Sequence, residues 1–124
     1  MADETPPKQP ILNVHFYKTE NEREPVREWL RELSKEDKKS IGEDIKTAQF
    51  GWPIGMPLIR KLEQNMWEVR SRIKDGIARI FFTVDGNLMI LVHSFIKKSQ
   101  AIPANEMETS RTRIKKYFGG KNEK

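Results

Sequence analysis

The stretch MWEVRSRIKDGIARIFFTVDGNLMILVHSFI, residues 66–96, decides the fold. Its side chains alternate with a period of two, the spacing of β-strands that show successive residues to opposite faces. Trp67, Val69 and Ser71 share one face, and Glu68, Arg70 and Arg72 share the other. Asp75-Gly76 and Asp85-Gly86 mark two hairpin turns. Between them Ala78, Ile80, Phe82 and Val84 make an apolar face, with Arg79 and Phe81 behind it. NLMILVHSFI is apolar at both parities, which predicts a central strand covered on two sides. In it His93 falls in step with Leu91, Phe95 and Lys97. LIRKLE, just upstream, is a shorter strand.

Before Pro57 the period is helical. Val26, Trp29, Leu30 and Leu33 follow i, i+3, i+4, i+7, one face of an amphipathic helix with Pro25 in its first turn. Ser34 and Asp37 resemble a capping box that starts a second helix, and Ile41, Ile45 and Ala48 continue its apolar stripe. The link between them is short enough to force a helical hairpin. GWPIGMP (51–57) breaks the second helix. ILNVHFY (11–17) reads as a first strand, and ANEMETSRTRIKKYF as a last helix ended by Gly119-Gly120. The order β-α-α-β-β-β-β-α predicts an α+β fold: an N-terminal strand, a helical hairpin on one face of a curved, mostly antiparallel sheet, and a C-terminal helix. Residues 1–10, with three prolines, read as a flexible extension, 11–118 as one domain, and 119–124 as a flexible tail.

The 124 residues contain no cysteine, which excludes disulfides and thiolate metal sites. No apolar run approaches the roughly 20 residues that span a bilayer. The acidic, proline-bearing start is wrong for a secretory signal, so a soluble cytoplasmic protein with no membrane partner is expected. Net charge is +5, but residues 1–57 hold 9 Lys/Arg against 11 Asp/Glu, and 58–124 hold 14 against 7. A basic second half points to an anionic partner, nucleic acid first.

On the sheet face left open by the hairpin, Glu68, Arg70 and Arg72 meet Arg79, with His93, Lys97 and Lys98 at the end of the last strand. Arginine forks bind phosphate bidentately and stabilise the added charge of a pentacovalent transition state. With RNA the 2′-hydroxyl is itself the nucleophile, so no metal or cofactor is required. His93 is the natural proton carrier. Glu68 is either a base or a support for the arginines, and Lys97 or Lys98, crowded by cations, is also eligible. Arg113, Lys115, Lys116 and Tyr117 could bind RNA by charge and stacking. Structural readings stay open for each: a solvated strand face, a hydrogen-bonded histidine, a charge-protected strand end, a basic last helical turn. His15 reads as structural. There is no Gly-rich phosphate loop, no HExxH and no metal constellation.

KLEQNMWEVRSR, ARIFFTV and LVHSFIKKSQAIPANEMETSRTRIKKY together resemble the RelE/ParE toxin superfamily, and within it the phage-derived, HigB-like branch. That branch shows K-L-x-x-x-L-W-E-L-R, an arginine-started strand, and L-x-H-x-F-x-K-K-x-x-x-x-P before a last helix. Here these are Lys61-Leu62, Met66-Trp67-Glu68-Val69-Arg70, Arg79, and His93, Phe95, Lys97, Lys98 and Pro103. The resemblance covers residues 11–118. It implies a type II toxin–antitoxin toxin that cuts mRNA on the ribosome, with Arg70, Arg79, Lys97 and Lys98 in its active site, Arg72 beside them, and a HigA-like helix-turn-helix antitoxin as partner. Some members carry a catalytic histidine or tyrosine near the chain end; FGGKNEK has neither. A ParE-like gyrase inhibitor and a non-catalytic relative that binds antitoxin or RNA share the fold.

Overall fold

The structure is a computed structural model that describes residues 9–97 and 102–122. Eight elements follow the expected order: β1 (Asn13–Phe16), α1 (Pro25–Arg31), α2 (Lys35–Gly51), β2 (Ile59–Glu63), β3 (Met66–Ile73), β4 (Gly76–Asp85), β5 (Leu88–Lys97) and α3 (Ala104–Asn122). The five strands form one open α+β sheet in the order β1-β5-β4-β3-β2. Only β1 runs parallel, beside β5; the other neighbours are antiparallel.

Local chemistry explains these boundaries. Pro25 stands in the first turn of α1, where its missing N–H costs nothing. The Ser34 hydroxyl caps α2 by accepting from the Asp37 N–H at 3.1 Å. α2 stops at Gly51, against Trp52-Pro53. Lys74–Asp75 turn β3 into β4, so Ile73 faces Gly76. Gly86, at φ +60°, sits where an L side chain would be strained, and opens the turn into β5.

The sheet is covered on both faces. Val26, Ile41, Ile45 and Ala48 of the helical hairpin pack on Val69, Ala78, Ile80, Phe82, Met89 and Leu91, with Trp29, Leu30 and Trp52 at the margin. On the other face, Ile114, Met107, Tyr117 and Phe118 of α3 pack on Met66, Phe81, Ile90, Val92 and Phe95. The face expected to be open is therefore a second core. α3 also continues through Gly119-Gly120 to Asn122 instead of ending there.

Two further expectations change. The central strand is β4, not β5; β5 is apolar at both parities because α1 and α3 cover it from opposite sides. A bulge between Phe81 and Phe82 pairs Phe81 with His93 and Phe82 with Leu91. The extra residue, Val92, reverses the alternation, so Leu91 joins the hairpin core while His93 faces α3.

Candidate functional site

Register places the expected site residues in three cross-strand rows on the α3 face. Glu68, Phe81 and His93 form one row, Arg70, Arg79 and Phe95 the next, and Arg72, Ile77 and Lys97 the last. Residues opposite one another project from the same face. Two arginines directly opposite should repel. Glu68 resolves this from the neighbouring row: its Oε1 accepts from Arg79 Nη1 at 2.9 Å and lies 3.8 Å from Arg70 Nε.

Burial then grades the cluster. Glu68 is 0% exposed and Arg79 1%, so neither lies on an open surface. The Arg70 side chain is 20% exposed, Arg72 is exposed, and Lys97 is half-buried. The cations thus emerge at one end of the sheet, with Arg72 and Lys97 roughly 10 Å apart across two strand spacings. Glu68 Oε2, Arg70 Nε and Arg79 Nε find no hydrogen-bond partner among the described residues. Two guanidiniums share one carboxylate, which leaves positive charge and unused donors, the chemistry of an anion site. Lys98 lies outside the described residues.

His93 belongs to a second polar group, made with α3. Its Nε2 lies 3.0 Å from Glu106 Oε1, and Arg113 Nη1 lies 3.2 Å from its Nδ1. A guanidinium can only donate, so Nδ1 accepts and Nε2 donates to Glu106. Arg113 also donates to the Val92 carbonyl at 2.8 Å, and Ser110 Oγ donates to the Glu106 carbonyl. Both nitrogens of the ring are occupied in holding α3 to β5. Burial lowers the Arg113 guanidinium from its usual value.

The remaining cations of α3 do not form one surface. Lys115 is exposed, beside the β2–β3 turn. Lys116 points the other way and approaches Glu20 at 3.9 Å. Tyr117 is half-buried, meets Phe118 edge-on and donates to Asp85 Oδ2 at 2.7 Å, which fixes its ring. Burial first, then that carboxylate, pushes its hydroxyl up to about 12. His15 is exposed, its ring 6.4 Å from that of Tyr117.

Two residues of these groups escaped the sequence reading. Glu106 lies 13 positions from His93, and no periodicity links them. Asp44 of α2 accepts from Ser71 Oγ at 2.6 Å. A signal existed there, since Ser71 is a polar residue on an otherwise apolar strand face.

Residues 28–115 match the family described as "Phage derived protein Gp49-like (DUF891)". The chain belongs to this family. The Gp49-like family is a RelE/HigB-like toxin family, so membership is consistent with the toxin of a toxin–antitoxin pair, which implies an antitoxin partner. The matched span contains the whole cation cluster and the His93–Glu106–Arg113 group. No curated protein matches the chain. Among the described residues no helix is long and apolar enough to cross a membrane.

Proposed function

We propose that this chain is the toxin of a type II toxin–antitoxin pair of the HigB-like branch, and that it acts as a ribosome-dependent endoribonuclease on mRNA. The supporting observation is the array of Arg70, Arg72 and Lys97 at one end of the sheet, rooted in the buried Glu68–Arg79 pair.

The 2′-hydroxyl attacks the adjacent phosphorus, its proton leaves, and the 5′-oxygen departs with a proton as a cyclic phosphate forms. The phosphorane gains negative charge on its equatorial oxygens. Arg70 and Arg72 donate to those oxygens, and Lys97 adds a point charge. Arg79 does not touch the phosphate; it positions Arg70 through Glu68. Glu68, buried and ion-paired, is a support and not a base. His93, engaged at both nitrogens, holds α3. Proton transfer falls to Lys97 or Lys98 and to groups the ribosome brings. The partner is a HigA-like helix-turn-helix antitoxin whose carboxylates cover the cations, and the site of action is the cytoplasm.

The test is cell-free translation with mRNA 5′ ends mapped, with and without ribosomes. Cuts should appear only on translated mRNA, and Arg70→Ala or Lys97→Ala should remove them while the protein stays folded. Intact mRNA beside inhibited DNA supercoiling would replace this reading with ParE-like gyrase inhibition.

A further inference from the structure

A groove of about 380 Å³ adjoins the cation cluster, lined by Asp44, Pro57, Leu58, Arg70, Arg72 and Ile77. That volume lies at the small end of the roughly 300–1,000 Å³ typical of ligand sites, and suits one nucleotide. It exists because β2 is shorter than β3. β2 pairs with β3 only as far as Ile59 against Val69, and Arg70 N–H still reaches the Leu58 carbonyl. The Arg72 N–H, two residues on, points the same way, beyond the end of β2.

Three chemistries meet in this groove. Pro57, Leu58 and Ile77 supply apolar surface. Arg70 and Arg72 bring positive charge from the α3 face. Asp44 brings a carboxylate from α2, whose Oδ2 is held by Ser71 at 2.6 Å. That bond steers the carboxylate and leaves Oδ1 as acceptor.

We propose that the groove is a nucleobase subsite that favours bases with an exocyclic amino group. The apolar residues take the base face, Arg70 and Arg72 take its phosphate, and Asp44 Oδ1 accepts from the amino group. Adenine, cytosine and guanine offer that donor. Uracil flanks its single N–H with two carbonyl oxygens, which a carboxylate repels. The subsite deepens the nuclease reading and rests on it, since it would set which base lies beside the cut.

The experiment uses the full chain and two readouts. Amide chemical shifts are followed with inorganic phosphate and with AMP, CMP, GMP and UMP, for the wild type and for Asp44→Asn. The variant keeps an oxygen for Ser71 and replaces the Oδ1 acceptor with an N–H donor. Wild type should bind the amino-bearing nucleotides roughly tenfold tighter than UMP, with shifts at Asp44, Leu58 and Arg72. Asp44→Asn should move the preference toward UMP, and inorganic phosphate should bind somewhat tighter, since a carboxylate beside Arg70 and Arg72 is removed. The same variant, in the 5′-end map, should shift cutting toward uridine. Equal binding of all four nucleotides, with Asp44→Asn unchanged, would overturn the subsite. Ribosome-dependent cuts persisting with unaltered base preference would overturn it and leave the nuclease reading standing. Absence of any cut, with the nucleotide preference intact, would remove the nuclease reading and keep the subsite.

Discussion

The two faces of the sheet are built from the same alternation and hold different contents. Under the hairpin, Val69, Ile80, Phe82, Met89 and Leu91 meet Val26, Ile41 and Ile45, and the buried hydroxyl of Ser71 is bonded to Asp44. Under α3, Phe81, Ile90, Val92 and Phe95 are interrupted by Glu68, Arg79 and His93, each with a charged or polar partner. Apolar burial contributes roughly 25 cal/mol per Å² and needs no exact geometry. A buried ion pair returns about what its desolvation costs. Both faces are apolar cores, but the α3 face gives part of its buried area to the Glu68–Arg79 pair and His93, which return little net stability.

That contrast can be broken most sharply at Glu68 and Arg79. Arg79→Ala leaves a buried carboxylate without its main partner and should cost about 3–5 kcal/mol in urea unfolding. Phe82→Ala, on the other face, should cost about as much through its cavity. The faces separate when both charges go together. Glu68→Leu with Arg79→Met should unfold near the wild-type urea midpoint, yet lose mRNA cutting. A double variant that still cuts would mean the buried pair does not position Arg70.

Smaller effects sharpen the same picture at the margins. Tyr117→Phe removes the bond to Asp85 and should cost about 1–2 kcal/mol. Its pH dependence has a definite sign. The folded hydroxyl sits at about 12, above the ordinary 10.0, so the fold holds this proton more tightly than the unfolded chain. Its contribution is complete below pH 10, lost as pH rises to about 12, and should be absent from Tyr117→Phe in matched denaturation curves. Smallest is Ser34→Ala, which removes the α2 cap and should lower stability by about 0.5–1 kcal/mol with no change in cutting.

Much of the fold was legible because local rules carried it. The Val26–Trp29–Leu30 face, the Ser34 cap and the two hairpin turns each act over a few residues and appear where their patterns lie, although α1 ends at Arg31 and leaves Leu33 beyond it. The face sharing of Arg70 and Arg79 was legible too, because alternation plus a tight turn sets register. Whether that face is open was not, since nothing local says where α3 will land. The reach of the cations depended on it: Arg79 is buried, Arg113 is turned inward to Val92, and Tyr117 is packed.

His93 draws the line most clearly. Its strand, its histidine chemistry and its neighbours Phe95 and Lys97 follow from the sequence alone. So does the face it shares with Glu68 and Arg79, but its expected parity with Leu91 fails, because a single inserted residue at the Phe81–Phe82 bulge turns the alternation over and sends Leu91 to the hairpin core. Its partners Glu106 and Arg113 do not follow from the sequence, because they arrive on a helix 13 to 20 residues further along. Periodicity determines which residues share an element and, within an unbroken strand, a face. Only tertiary packing decides which faces are buried and which charges meet, since both depend on contacts between segments distant in the chain.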